Sequence, residues 1–235
     1  MEQAHKYQLE KVVASTAADS IEDDGDLSQE VDVQRVKFAG VEKIGVPYRV
    51  HALKAKFNSG VGVPSSQREE FDFQGNRQLQ SQLLEELVQK EGPIHFDYAV
   101  KRLASAWRIK RKSPKIVRAV REALNLLLVN QKVLVKGSFL WSPELKEVQA
   151  RTPVAGVPES KRIPEHIPPE EIENAMETIA QYALSISAES LIAETAKVFG
   201  FSRVGEKSRK RFSDVYKRLL WEKKLVCNND LITLA

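Results

Sequence analysis

An internal repeat is the feature that most limits how this 235-residue chain can fold. When the sequence is displaced by 92 positions, residues 94–141 align with residues 186–233 without a gap. Identities are few, seven of 48, but apolar and basic residue classes match nearly throughout. Trp107 aligns with Phe199, for example, and Val120 aligns with Phe212. A repeat of this kind predicts two tandem modules, each of which is one supersecondary unit.

Breaks in the sequence set the boundaries of these modules. The stretch NSGVGVPSSQ and a segment with six prolines between positions 143 and 169 are both incompatible with a continuous helix. We therefore expect five parts in chain order. They are an acidic, flexible leader at 1–45, an extended lead-in and linker at 46–76, a first module at 77–142, a Pro-rich linker at 143–167, and a second module at 168–235.

The pattern within each module predicts three helices followed by a hairpin. Apolar residues at helical spacing indicate an opening helix, and a short turn containing Ile94 or Ile186 precedes a second helix, which Asp97 or Ser187 is expected to cap. A third helix is expected at about 114–130 and again at about 206–222, each before a tight hairpin. The predicted fold class is mainly α with short β-hairpins (α+β), with two tandem winged helix-turn-helix domains after a partly flexible N-terminal segment.

Charge is distributed unevenly along the chain. The total of 36 Lys and Arg against 32 Asp and Glu gives a net charge of only +4. Residues 1–32, however, contain nine acids and two bases, whereas residues 101–121 contain nine bases and no acid. Such asymmetry favours a basic face that meets a polyanion behind an acidic leader. Two solvated helix faces in a Lys-rich protein would give the same pattern.

The third helix and the turn before it contain the candidate binding residues. Within this turn and helix, three positions are basic in both copies although most other identities are lost: Arg111 with Arg203, Lys115 with Lys207, and Arg118 with Lys210. Cations at fixed positions suit the fixed charges of a phosphate backbone. The candidate DNA-binding residues are Lys110, Arg111, Lys112, Lys115, Arg118, Arg203, Lys207, Lys210, Arg211 and Arg218. We expect duplex DNA with weak sequence preference, since base-reading side chains are not evident, and protein contact through the same modules remains the alternative.

The sequence offers no recognisable catalytic or cofactor chemistry. It lacks a GxxxxGK[ST] nucleotide loop, and its four histidines are scattered without partners at metal-ligand spacing. We therefore expect no enzyme activity, no metal and no cofactor. Trp107, Trp141 and Trp221 are expected to pack in the core or at seams, and the single Cys227 in a buried strand. A reduced, cytoplasmic, soluble protein is expected, because no apolar run approaches about 18 residues and no secretory signal is visible.

Two long runs resemble one protein family. EGPIHFDYAVKRLASAWRIKRKSPKIVRAVREAL is similar to a stretch near the C-terminus of very large bacterial superfamily I helicases. IPPEEIENAMETIAQYALSISAESLIAETAKVFGFSRVGEKSRKRF resembles the uncharacterised domain that closes those proteins, and PYRVHAL is similar to the segment before it. In that family an ATPase motor, and commonly a very-short-patch-repair-like nuclease domain, lie upstream. Neither is present here, so their activities are not carried over.

The resemblance implies a DNA-processing or phage-defence setting. Together with the residue patterns it predicts a non-catalytic tandem winged-helix module that contacts the DNA backbone within a helicase or nuclease system. The alternative is a protein–protein docking scaffold for a helicase or nuclease subunit, without direct DNA binding.

Overall fold

The computed structural model of the chain describes residues 44–53, 71 and 74–235. The expected acidic leader, apart from its last two residues, and the Gly- and Ser-rich stretch near residue 60 lie outside these residues. Six α-helices and several small sheets account for most of the described chain, which confirms the α+β class with a mainly helical content. No helix in the described ranges is long and apolar enough to cross a membrane.

The elements of the two copies follow one another in the same order. The first copy contains α1 (Arg77–Glu91), β2 (Ile94–His95), α2 (Phe96–Ala106), α3 (Pro114–Val129), β3 (Leu134–Lys136) and β4 (Phe139–Trp141). The second contains α4 (Pro169–Ala183), β6 (Ile186–Ser187), α5 (Ala188–Val198), α6 (Glu206–Trp221), β7 (Leu225–Asn228) and β8 (Leu231–Leu234). Each helix of the second copy begins and ends 92 residues after its counterpart, so the repeat includes the opening helix.

Side-chain caps explain where several of these helices begin. Ser113 Oγ accepts a hydrogen bond from the Ile116 amide at 3.4 Å, and proline follows at the first position of α3, where no amide is needed. Ser187 caps α5 as expected, through a 3.2 Å bond from the Ser190 amide. The expected cap of α2 was wrong, because His95, at the position that matches Ser187, accepts from the backbone there.

The sheet within each copy has three strands, although the sequence predicts only a hairpin. The segment before the second helix, expected as a turn, pairs antiparallel with the last strand, Ile94 opposite Leu140 and Ile186 opposite Ile232. The strand orders are β2-β4-β3 and β6-β8-β7. A two-residue strand is too short to show an alternating pattern, so its pairing is decided by the hairpin that it meets.

Matched positions form the two cores. Trp107 and Phe199 are both buried, as are Val120 and Phe212, and each of these residues belongs to the main apolar cluster of its own module. An ion pair also recurs at matched positions: Lys132 Nζ lies 3.0 Å from Glu85, and Lys224 Nζ lies 4.0 Å from Glu177. The two copies therefore share side-chain interactions as well as element order.

The Pro-rich segment between the copies is packed against both of them. In it, β5 (Arg151–Thr152) pairs in parallel with β1 (Val46–Pro47), and two short 3-10 turns follow at Pro158–Ser160 and Pro164–His166. Arg151 donates to the carbonyl oxygens of Glu91 and Pro93 in the first copy and to the Glu171 carboxylate in the second. The segment expected as a linker is thus a structural joint.

Buried charge holds this joint together. Glu171 is fully buried and receives hydrogen bonds from both Arg151 and Arg162, the latter at 2.7 and 2.8 Å. Burial by itself raises the pKa of Glu171, but the two guanidinium groups outweigh this effect and hold the pKa below its usual value. The Tyr48 ring lies 4.7 Å from the Arg151 guanidinium and 4.8 Å from that of Arg162, and its hydroxyl donates to Glu91 at 2.7 Å. Residues distant in sequence therefore meet at one polar centre.

Candidate nucleic-acid interface

The third helix of each copy turns one face to the core and another to solvent. Ile116, Val120 and Leu127 of α3 are buried, and Phe212 and Leu219 occupy the same row of α6. This spacing of three, four and seven residues leaves the opposite side of each helix exposed.

The three matched cation pairs of the turn and the third helix all lie on the exposed side. Arg111 and Arg203 are exposed in the turns, and Lys115, Lys207, Arg118 and Lys210 are exposed in the first half of the third helices. Lys110 and Lys112 are exposed in the same turn of the first copy. Eight of the ten candidate residues are therefore presented to solvent, and six of these eight lie at corresponding positions of the two modules.

Some of these cations have carboxylate neighbours. Lys112 Nζ donates to Asp97 at 2.7 Å, and this hydrogen bond lowers the pKa of the Asp97 carboxyl. Arg118 lies 3.8 Å from Glu122, and Lys207 lies 3.6 Å from Glu165 while 83% of its side chain is exposed. Exposed ion pairs contribute only about 0–1 kcal/mol, so a phosphate can replace such a carboxylate at little cost.

The remaining two candidates, Arg211 and Arg218, hold the second module together. Arg211 is half-buried and donates to the Ile167 carbonyl at 2.8 Å, and burial lowers the pKa of its guanidinium. Arg218 is paired with Glu173 of α4 and is also only partly exposed. Both residues are less accessible than the other eight candidates, because residues seven apart lie on one side of a helix and this side borders the buried row.

A series of side-chain contacts at the joint connects the basic regions of the two copies. From Lys112, contacts lead through Asp97 to His95, whose Nδ1 accepts from the Asp97 amide at 3.2 Å. The His95 ring stacks on His166 with ring centroids 4.5 Å apart.

Next to His166 in the chain is Glu165, the neighbour of Lys207. Lys112 of the first copy and Lys207 of the second thus stand at the two ends of one short series of contacts. Sequence reasoning treated the histidines as isolated, because 71 residues separate them.

The pKa of each stacked histidine is lowered, which favours the neutral ring. Burial is the main cause that lowers the pKa of His95, and burial with the neighbouring His95 lowers the pKa of His166 to about 4. The joint therefore places two uncharged rings between two groups of cations.

An open groove of about 460 Å³ lies beside the start of α3. Its lining residues are Lys112, Ser113, Pro114, Val117, Arg118 and Arg121. Arg121 is exposed, and its guanidinium lies over the Phe96 ring at 5.4 Å from the centroid. It was absent from the candidate residues, although its spacing of three from Arg118 places it on the same side of the helix.

One family comparison overlaps this region. Residues 71–118 match the family described as a protein of unknown function (DUF3320). No curated protein and no solved structure matches the chain.

The DUF3320 match contains α1, α2, the basic turn and the first residues of α3. It therefore includes five candidate residues, Lys110 to Lys112, Lys115 and Arg118. The second copy lies outside the DUF3320 match. Because the family description names no activity, the chemistry of the chain has to be argued from its geometry.

Two expected core residues are on the surface. Trp107 and Trp141 are buried, but Trp221 is 83% exposed. Val129, at the matching position of the first copy, is 82% exposed, because both residues end the third helix beyond its last core contact. Cys227 is exposed instead of buried. Among the described residues, no three His, Cys, Asp or Glu side chains form a metal-ion cluster.

Proposed function

We propose that this chain is a non-catalytic module of two tandem winged helix-turn-helix domains that binds the backbone of duplex DNA with weak sequence preference. The domain type is supported by the order of elements in each copy, three helices with a three-stranded sheet completed by a C-terminal hairpin. In domains of this type the third helix commonly approaches the DNA.

The matched, exposed cations are the observation that carries the proposal. Lys115 and Lys207, for example, occupy the same position of the two third helices and are both exposed. A solvated face does not need charges at fixed positions, whereas a surface that binds phosphates at fixed spacing does. The contacts from Lys112 to Lys207 across the joint link the two basic regions, which supports the binding of one duplex by both modules.

The wider setting follows from the resemblance alone. The resemblance to the C-terminal part of large bacterial superfamily I helicases favours a setting in DNA processing or phage defence, next to a helicase or nuclease. In that setting the module would position DNA, while another protein or domain performs the chemistry.

One observation favours a second function, a docking scaffold for a helicase or nuclease subunit. Val129 and Trp221 are each more than four-fifths exposed at the same position of the two copies. Exposed large apolar side chains are typical of protein interaction sites.

A salt titration separates the two functions. Fluorescence anisotropy with a labelled duplex measures the association constant K at several salt concentrations. A plot of log K against log salt should be linear with a slope of roughly −3 to −5, since about three to six phosphates are neutralised. Absent or salt-insensitive DNA binding, together with a stable complex with a helicase or nuclease subunit, would contradict DNA binding and favour the scaffold.

Paired variants locate the binding surface. Lys115→Gln and Lys207→Gln should each weaken binding and make the salt slope shallower by about one unit. Lys223→Gln is the matched control, because the residue is exposed and follows the far end of α6, about 21 Å of helix away from Lys207. An equal loss of affinity in Lys223→Gln would show that total charge matters and that the third-helix surface does not.

A further inference from the structure

The acidic leader has the charge opposite to that of the third-helix surfaces. Residues 1–32 contain nine acids against two bases, a side-chain charge of −7. The acids are densest at 19–26, where five of eight residues are acidic and none is basic. A segment with this charge is itself a polyanion, and it belongs to the same chain as the cations proposed to bind one.

Most cations of the two turns and third helices have room for another anion. We call seven of these exposed residues the basic surface: Lys110, Arg111, Lys112, Lys115, Arg203, Lys207 and Lys210. Lys112 and Lys207 pair with Asp97 and Glu165, so carboxylates of this chain already reach both modules. Within the described ranges, no carboxylate pairs with the other five, Lys110, Arg111, Lys115, Arg203 and Lys210.

The leader joins the described chain close to the basic surface. Ile44, just before β1, is buried in the same apolar cluster as Ile167. Ile167 follows two residues after Glu165, which is the neighbour of Lys207. Residues 33–43 separate the acidic part from Ile44, and a stretch of this length spans at most about 40 Å. The acidic part is therefore tethered within reach of the basic surface.

Tethering makes even a weak contact effective. Two groups joined by a short stretch of chain meet at an effective concentration in the millimolar range. Each exposed ion pair is weak by itself, but several acids facing several cations need only a millimolar affinity to stay in contact under these conditions.

We propose that residues 19–32 dock on the basic surface of their own chain and compete there with the DNA backbone. The competition rests on the proposed function and adds a regulation to it, because DNA has to displace the leader before it reaches the cations. Since both anions use the same cations, a change that weakens leader docking strengthens DNA binding.

Neutralising the leader in the full chain tests the competition. The variant Asp23→Asn, Asp24→Asn, Asp26→Asn should bind a labelled duplex about fivefold more tightly than the unmodified chain at about 0.15 M salt. This is the factor expected if the leader leaves the surface free for about a fifth of the time. The matched control neutralises three exposed carboxylates of the described chain and should change affinity less than about twofold: Glu144→Gln, Glu147→Gln, Asp230→Asn.

Cross-linking locates the leader without DNA. A carbodiimide joins a carboxylate to an amine only where the two are in contact. Peptides from residues 19–32 should be linked to Lys115 and Lys207, and an excess of duplex should remove these links. Lys223 is the control amine, since it is exposed and follows the far end of α6. An equal mixture of isotope-labelled and unlabelled chains shows whether a link joins residues of one chain.

The possible results distinguish this proposal from the proposed function. Unchanged affinity in the leader variant, an equal gain in the control variant, or equal linking to Lys223 overturns leader docking and leaves DNA binding intact. Links mainly between labelled and unlabelled chains overturn docking within one chain and assign the leader to a second copy. If no variant binds DNA, the proposed function and the competition both fail, and the cross-links alone decide whether the leader docks.

Discussion

At the residue scale, cations that look alike in the sequence have different roles. Lys207 and Arg211 are one turn apart in α6, yet Lys207 is exposed and Arg211 donates to the Ile167 carbonyl. Arg102 also differs from the exposed cations near it in the sequence, because it is buried and its guanidinium lies 2.7 Å from the Glu91 carboxylate. The charge of a side chain follows from the sequence, but its exposure depends on what packs over it.

We predict that Arg211→Ala lowers the free energy of unfolding by about 1.5–3 kcal/mol, since a charge-assisted hydrogen bond to a backbone carbonyl is lost. Lys207→Ala should change it by no more than about 0.5 kcal/mol. Urea denaturation of the two variants measures the difference. Equal, small effects would show that Arg211 is as dispensable as an ordinary surface cation.

The His95–His166 stack predicts a loss of stability in acid. Because the pKa of each ring is lower in the folded chain than in the unfolded chain, the unfolded chain binds more protons between about pH 6.5 and the folded pKa of His166, about 4. The contribution of these two histidines to stability is fully present above pH 6.5, and it falls as the pH decreases through this window. Asp97 and Glu165 partly oppose this effect, and Lys112 adds to it.

Urea denaturation at several pH values checks this expectation. His166→Phe keeps an aromatic ring on His95 but cannot be protonated, so its free energy of unfolding should decline less between pH 6.5 and 4 than that of the unmodified chain. Parallel curves for the two proteins would contradict a role of His166 in the acid response.

At the element scale, the helices were predictable and the short strands were not. Apolar residues at spacings of three and four define α3 and α6 over about four turns each, so their positions follow from local pattern. The strands at Ile94 and Ile186 contain two residues each and exist only through pairing with a distant hairpin. The cap of α2 was missed because Asp97 is the usual residue type for a cap, whereas His95 occupies the site.

We predict that Phe212→Ala lowers the free energy of unfolding by about 3–5 kcal/mol, because Phe212 is fully buried. Its ring centroid lies 6.1 Å from that of Phe199 and 6.0 Å from that of Phe201. Leu126→Ala is a suitable control, as this residue is in the other third helix but 42% exposed. Chemical denaturation compares the two, and a cost below about 1 kcal/mol for Phe212→Ala would contradict the assignment of α6 to the core.

At the scale of the whole molecule, the two copies are joined through buried charge. Arg151 and Arg162 bring residues of the lead-in, the first copy and the second copy to Glu171 and Tyr48. This arrangement sets the relative position of the two basic surfaces, which the sequence repeat by itself leaves open.

We predict that Glu171→Gln destabilises the chain by about 3–5 kcal/mol, because two buried guanidinium groups lose their carboxylate. Calorimetry should show one unfolding transition for the unmodified chain and two for the variant, as the modules separate. Glu170→Gln, at the adjacent half-buried position, is the control. A single unchanged transition in Glu171→Gln would contradict the role of this joint.

The sequence by itself determined the repeat, the six helices and the rows of cations, because helical periodicity and residue class are local properties of the chain. Tertiary structure alone decided which cations stay on the surface, that His95 stacks on His166, that Arg121 lines a groove and that Tyr48 lies between two arginines. These features depend on contacts between residues tens of positions apart. No local pattern encodes such contacts, since they exist only once the helices and the Pro-rich segment have packed.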